Sequence, residues 1–395
     1  MRALDRNPRL LCAFHGLQMT LFPVAIITLF WQRRLGMSMH EILLLQGLFG
    51  LSVALFEFPS GYLADRLGYR RSLLIGSALN VLGWGLYCMA DSFWWAAAAE
   101  ALLGIGISLI SGTDAALMFE SLKETGDEAS FRRWDGRFRF FGQMSEGVAA
   151  LFAGLLYVFE PRLPFVLQVG VWIGAGVVAW RMVEPARHLP EPGGHLRRIV
   201  RMLRTVLGGN PRLAAIVLLT VLLGMASFVP VWLIPLYASG AGVPDPWIGP
   251  MWAVANFIVA IASLTSDRVV GRFGLLPTLL ACVALVATGY AGLALSFGTF
   301  GFAFYFCLNL QRGLCGPALL HEEQKLLPSS DRAGFLSLRS LLFRALFLVI
   351  GPLIGIQVDL HGQHPVLLVV GGAMTVATLG AWLWLRRTHR ADTAG

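Results

Sequence analysis

Residues 61–74 read GYLADRLGYRRSLL, and a shorter stretch of the same kind, SDRVVGRFG, occupies residues 266–274. Each stretch has an Asp-Arg pair and a further arginine four residues later, in registers that lie 202 residues apart: Asp65, Arg66 and Arg70; Asp267, Arg268 and Arg272. The only two lysines, Lys123 and Lys325, share that offset, and the word NPRL occurs at residues 7 and 210. The common spacing predicts a chain built from two similar halves.

The composition predicts a membrane protein. The chain has 395 residues, of which 56% are hydrophobic and only 14% are charged, whereas soluble domains carry about 25% charged residues. Apolar runs of about 20 residues mark membrane-spanning helices. They predict an all-α membrane protein with twelve spans at 10–31, 41–62, 72–92, 94–118, 138–158, 164–183, 213–237, 247–265, 275–295, 300–320, 336–356 and 365–385.

The repeat divides these spans into two six-helix bundles, residues 1–183 and 210–395. Because six is even, both bundles cross the membrane in the same direction, as in parallel-repeat transporters. Between them, residues 184–209 form a polar linker. Its basic part places arginines on one helical face and apolar residues on the other. This pattern predicts an amphipathic helix on the inner leaflet or, equally, a solvated linker helix.

The basic residues fix the expected orientation, since cytoplasmic loops are enriched in Lys and Arg. With both termini cytoplasmic, all but five of the 31 Lys and Arg lie at inner positions. Arg33, Arg34 and Arg162 fall outside, and Arg312 and Arg344 fall within spans. The positive charge is therefore a topology signal, and we expect no nucleic-acid partner. The five cysteines lack metal-ligand spacing, so we expect no metal and no cofactor.

The 61–74 stretch has a physical interpretation. Gly61 and Gly68 permit a tight turn and close helix approach. Asp65 can accept hydrogen bonds at a neighbouring helix N-terminus, where the helix dipole favours an anion. The stretch closely resembles the loop motif of the major facilitator superfamily, Gly-x-Leu-Ala-Asp-Arg-x-Gly-Arg-Lys. The resemblance implies a gate in which Asp65 meets the start of span eleven near Phe335, with the second copy (Asp267, Arg268, Arg272) as its degenerate partner.

Two further family motifs are altered. EALLGIG at 100–106 has the spacing of a span-four motif of proton-coupled members, but Glu100 stands where that motif has an arginine. The antiporter pattern Gly-Pro-x-x-Gly is not clear in span five and occurs instead in span eleven, at residues 351–355. The second pattern favours export. The small residues Gly104, Ser108 and Gly112 form a stripe on span four that is typical of close helix packing.

Charges inside the membrane are costly and are candidates for function. The acids lie in the first half and the arginines in the second: Glu57, Glu100, Asp114 and Glu146; Arg312 and Arg344. The resemblance implies a cavity lined by spans one, four, seven and ten, with Asp114 and Arg312 on its walls. It also implies a seam at which Glu57 approaches Arg344, either as a structural or gating pair or as part of the transport chemistry. His15 and Gln18 in span one are polar, but each alone is typical of packing.

These features predict a secondary transporter that moves a small organic compound by alternating access, driven by an ion gradient because no ATP-binding segment is present. Proton antiport with efflux is the first hypothesis. The alternatives are proton-coupled uptake of a small polar or zwitterionic metabolite, and a non-transporting scaffold on the same fold. We expect no catalytic residues and no enzyme activity. We also expect a monomer in a bacterial-type cytoplasmic (inner) membrane.

Overall fold

The computed structural model describes residues 3–186, 210–327 and 332–394, with the backbone alone at residues 3, 58, 61, 62, 65, 132, 332–334 and 390–394. Every regular element in those ranges is a helix, which confirms the all-α prediction. The first half contains α1 Asn7–Met19, α2 Ile27–Leu35, α3 Met39–Leu67, α4 Tyr69–Met89, α5 Phe93–Ile110, α6 Thr113–Thr125, α7 Phe131–Phe159 and α8 Leu163–Trp180. The second contains α9 Pro211–Gly240, α10 Asp245–Phe273, α11 Leu275–Leu295, α12 Tyr305–Leu326, α13 Arg332–His361 and α14 Gln363–Ala394.

Within the described residues, ten helical stretches are long and apolar enough to cross a membrane, with α5 and α6 together forming one of them. Predicted spans one and ten are not among these ten stretches, and the sequence and structure give a reason for each. Span one is interrupted, so that neither α1 nor α2 reaches the length of a crossing. Span ten corresponds to α12, whose final turns carry the polar sequence HEEQK. The predicted amphipathic linker helix lies outside the described residues, apart from positions 184–186.

The doubling inferred from the sequence is visible in paired helical hairpins. Helices α3 and α10 each have 29 residues, and the helices that follow them, α4 and α11, each have 21. A single glycine joins each pair, Gly68 at φ 110° and Gly274 at φ 88°. Positive φ is a conformation that glycine adopts without steric cost. Gly68 therefore makes the expected tight turn, whereas Gly61 lies within α3 and takes no part in it.

Close packing is repeated along with the hairpins. A Cβ added at Gly83 on α4 would lie 2.8 Å from Leu103 Cγ and 3.2 Å from the Ala99 carbonyl oxygen. A Cβ at Gly289 on α11 would meet Leu308 Cγ and the Phe304 carbonyl oxygen at the same two distances. In both halves, the absence of a side chain on one helix thus lets it approach the helix that crosses next in the chain.

The described residues form two compact units. The first unit contains the first half together with Pro244–Ala253, and the second contains the second half together with Ser38–Leu43. In the first unit, the Asp245 carboxylate accepts from Arg33 Nη1 at 2.5 Å. In the second, the Asp359 carboxylate accepts from the N–H groups of Met39 and His40 at 2.7 and 2.8 Å. Polar contacts at the N-terminal ends of α10 and α3 therefore hold these two segments in their units.

The glycine contacts generate a stability prediction. Gly83→Ala should destabilise the protein by about 1–3 kcal/mol, the usual cost of overpacking a filled contact. Gly85→Ala is the matched control, because nothing lies within 4 Å of its added Cβ and alanine favours a helix by up to about 1 kcal/mol over glycine. Thermal unfolding in detergent, followed by tryptophan fluorescence, should show a lower midpoint for the first variant alone. Equal shifts in both would contradict the packing argument.

Candidate functional site

The most unusual backbone in the first unit lies in the middle of span four. Helix α5 ends at Ile110, Gly112 adopts a left-handed conformation at φ 81°, and α6 begins at Thr113. Nothing lies within 4 Å of a Cβ added at Gly112, whereas one added at Gly104 would lie 2.7 Å from Ser52 Cβ. Close packing therefore explains Gly104, as expected, but not Gly112, which is needed for the helix break.

Asp114 lies in the first turn after this break. Its side chain is buried, with 8% exposure, and one carboxylate oxygen accepts from the Ala115 N–H at 2.7 Å. Among the described residues, no cation lies within ion-pair distance of this carboxylate. Among the described surroundings, the N-terminal end of α6 compensates this buried charge, because its dipole favours an anion.

Span one is also broken, between Met19 and Ile27. Thr20 Oγ1 donates to the Gly16 carbonyl at 2.8 Å, and the Phe22 N–H donates to Gln168 Oε1 of α8 at 3.1 Å. Gln168 is fully buried. Irregular backbone at membrane depth occurs only where it is buried in protein or lines a cavity, and discontinuous spans are typical of transporter binding sites.

The polar residues predicted in span one pair with each other. His15 Nδ1 lies 3.1 Å from Gln18 Oε1, and the imidazole ring stacks on Phe138 of α7 with centroids 3.8 Å apart. One turn from Phe138, Asp135 accepts from Arg139 Nε at 2.9 Å, and both of these side chains are partly or largely exposed. The first unit thus holds aromatic and ionisable groups along α1 and α7, in addition to Asp114 on α6.

Glu100 has a different environment. Its carboxylate accepts from the Tyr87 hydroxyl at 2.6 Å, and Gln46 of α3 is a second hydrogen-bonding partner. Tyr87 is fully buried and packs against Trp84 and Phe165, with ring centroids 5.6 and 5.3 Å apart. Neutral donors therefore hold Glu100 within an aromatic core that connects α3, α4 and α5.

The other predicted intramembrane charges are less enclosed. Glu57 and Glu146 are half-buried, Arg312 is exposed, and Arg344 is half-buried with its Nε donating to Ser340 Oγ at 3.1 Å. The proposed approach of Glu57 to Arg344 stays a prediction.

The loop motif is connected to the end of α8 by Glu184, which the sequence reasoning missed. The Glu184 carboxylate accepts from the N–H groups of Tyr69 and Arg70 at 2.8 and 2.9 Å. Arg70 Nη2 donates to the Trp180 carbonyl at 2.6 Å. Two N–H groups that α4 would otherwise leave without a partner are thereby satisfied by an anion at the positive end of the helix dipole.

The other described charged residues of the loop motif and of its second copy lie at the surface. Arg66, Asp267, Arg268 and Arg272 are exposed, and the Arg272 guanidinium lies 5.5 Å from the Phe273 ring centroid. The side chain of Asp65 lies outside the described part of the chain, so the predicted contact of Asp65 with span eleven stays a prediction.

The second unit contains a buried ion pair that was also missed. Glu323, with 0% exposure, accepts from Arg339 Nη1 at 2.6 Å and from Thr220 Oγ1 at 2.9 Å. Its neighbour Glu322 accepts from Arg212 and Lys325 at 3.1 and 2.8 Å. The HEEQK segment is a helix end, as expected, but its second glutamate connects α9, α12 and α13. Only the burial of this end in the fold distinguishes Glu323 from an ordinary surface acid.

Comparison with known proteins gives a consistent result. The family model described as Major Facilitator Superfamily matches residues 10–321. A probable vesicular acetylcholine transporter-B of Danio rerio is 29% identical over 127 residues, which cover 32% of this chain but only 25% of that protein.

Solved structures show the same fold across nearly the whole chain. The nucleoside transporter NupG has a TM-score of 0.77 at 12% identity, covering 97% of this chain and 99% of its own. The POT family transporter PepTSo has a TM-score of 0.77 at 13% identity, with 98% of both chains covered. A bacterial homologue of the human lysosomal transporter Spinster has a TM-score of 0.73 at 15% identity, covering 98% and 96%.

The Glu184 contacts generate a second prediction. Glu184→Ala removes the anion that caps α4 and should cost about 1 kcal/mol, the typical value of a helix cap. The thermal midpoint should fall, and hydrogen exchange at the Tyr69 and Arg70 amides should accelerate. Glu128→Ala, at an exposed acid beside α7, is the control and should change neither quantity. Unchanged amide protection in the Glu184 variant would refute the capping role.

Proposed function

Since this chain belongs to the major facilitator superfamily, we propose that it is a secondary active transporter that exports a small organic compound in exchange for protons. In this mechanism, the two halves alternate access to a central site. We place the protein in a bacterial-type cytoplasmic membrane, as a monomer with both termini inside. The bundle boundaries, residues 1–183 and 210–395, are part of the proposal.

The observation that carries the proposal is the break in span four, with Asp114 in the first turn beyond it. Burial disfavours a bare carboxylate, while the helix N-terminus favours it. A carboxyl under these opposing influences, with no cation within ion-pair distance among the described residues, can serve as a site for an incoming positive charge. A proton and a cationic group of the substrate would compete for it, and this competition couples the two fluxes.

The compounds to test as substrates follow from the charge of the proposed site and from the names of the relatives. A site for positive charge favours organic cations, and the curated relative is a probable acetylcholine transporter. Structural relatives are named as nucleoside and peptide transporters. Choline esters, nucleosides and dipeptides therefore form the first panel. Uptake in both right-side-out and inside-out vesicles would give the direction, and symport would show as proton movement with the substrate.

The coupling role of Asp114 gives a third prediction. Asp114→Asn should abolish transport driven by a pH gradient, because the amide cannot exchange a proton. Substrate counterflow, which requires no net proton movement, should persist in the folded variant. The measurement is flux in proteoliposomes with and without an imposed gradient.

Glu57→Gln is the control for this experiment, because Glu57 is assigned to the seam between the halves. It should lower stability or overall rate while leaving the pH dependence intact. An Asp114→Asn protein with an unaltered pH profile would transfer the coupling role to Glu146 or Glu100, or would replace the proton by another ion. A wild-type protein without any gradient-dependent flux would support the scaffold hypothesis.

The orientation gives a fourth prediction. In a cysteine-free background, Thr388→Cys should react with an impermeant maleimide only from the cytoplasmic side. Gly240→Cys should react only from the other side, since Gly240 is the exposed last residue of α9 and an added Cβ meets nothing there. Labelling of Thr388→Cys in intact cells would overturn the proposed topology.

A further inference from the structure

Helix α7 presents a continuous exposed apolar face to its surroundings. Residues spaced three or four apart along it are between 41% and 83% exposed: Phe140, Met144, Val148, Leu151, Leu155 and Phe159. This spacing places them on one side of the helix. Exposed apolar surface of this extent on a membrane protein is a lipid-facing surface.

The length of this face matches the hydrocarbon layer. From Phe140 to Phe159, a helix rises about 29 Å at 1.5 Å per residue, and the hydrocarbon core of a bilayer is about 30 Å thick. The same face continues towards the start of α7 with Arg137 and Arg133. Arg137 lies about 4.5 Å beyond Phe140 along the axis and Arg133 about 10.5 Å beyond it. The headgroup layer is about 5–7 Å thick on each side, so Arg137 lies within it and Arg133 lies just outside it, within reach of a long side chain.

The two arginines differ from a third on the same helix. Arg133 and Arg137 are exposed, and neither forms an ion pair within the described residues. Arg137 instead places its guanidinium 4.8 Å from the Trp134 ring centroid. Arg139, on another side of α7, is neutralised by Asp135 at 2.9 Å. Two cations one turn apart repel each other. An anion that binds both arginines would reduce this repulsion, which no ion pair within the described residues offsets.

We propose that Arg133 and Arg137 bind the phosphate of an anionic phospholipid in the cytoplasmic leaflet, with Trp134 at the edge of the headgroup layer and the acyl chains along the apolar face of α7. Guanidinium groups form bidentate contacts with phosphate oxygens. Tryptophan favours the membrane interface. The site fits a lipid better than a soluble anion, because the charged part and the apolar face are continuous on one side of one helix.

The test is lipid binding to the purified full-length protein, measured by native mass spectrometry during titration with phosphatidylglycerol or phosphatidylcholine. The wild-type protein should prefer phosphatidylglycerol. The double variant Arg133→Gln/Arg137→Gln should bind it on the order of 30-fold more weakly, from two contacts of about 1 kcal/mol each. Arg139→Gln is the matched control and should retain wild-type affinity.

Several results would overturn the proposal. They are a wild-type protein without headgroup preference, a double variant that binds phosphatidylglycerol as well as wild type, and an Arg139→Gln variant that loses as much affinity as the double variant. Displacement of the lipid by inorganic phosphate alone would assign the site to a soluble anion instead. If the double variant fails to fold, the single variants Arg133→Gln and Arg137→Gln carry the test, and each should bind phosphatidylglycerol on the order of 5-fold more weakly than the wild-type protein.

Discussion

In a membrane interior, backbone N–H and C=O groups must find partners within the protein, because lipid offers none. Continuous helices satisfy this requirement automatically, so an interruption is costly wherever it occurs. This chain interrupts spans one and four, between Met19 and Ile27 and at Ser111–Gly112. Thr20 and Gln168 provide partners at the first break, and the second exposes the N-terminal end of α6 beside Asp114. The second interruption therefore places a helix N-terminus and a buried carboxyl side by side within span four.

Much of the fold could be predicted from the sequence, because span length, the 202-residue repeat and the glycine turns are local or periodic signals. The sequence also placed Asp114 on span four, but it did not indicate the helix break beside that residue. Gly112 belongs to a stripe of small residues that has the same appearance whether it serves packing or a left-handed turn. Glu184 and Glu323 could not be found in this way. Their importance depends on partners 115 and 103 residues distant, Tyr69 and Thr220, and no spacing rule connects such pairs.

The two halves contain corresponding helices, but equivalent positions in them make different polar contacts. At the end of the first half where α1 begins, the Asn7 amide donates to Ser121 and Val183, and all of these groups are neutral. At the repeat-related position of Ser121, the second half has Glu323 with Arg339, while Asn210 caps its own helix through Leu213. Breaking a buried ion pair is more costly than breaking a neutral hydrogen bond. The equivalent ends of the two halves should therefore differ in how easily they are disrupted.

The position of Glu184 has a consequence for how the protein is made. Helix α4 begins at Tyr69, but the carboxylate that caps it is synthesised 115 residues later. At about 5–20 residues per second, a ribosome needs roughly 6 to 23 seconds to cover that distance. Throughout this interval the start of α4 lacks the Glu184 carboxylate. The cap forms only after α8 has left the ribosome. A nascent chain that stops before Glu184 therefore contains all of α4 but lacks the carboxylate that caps it.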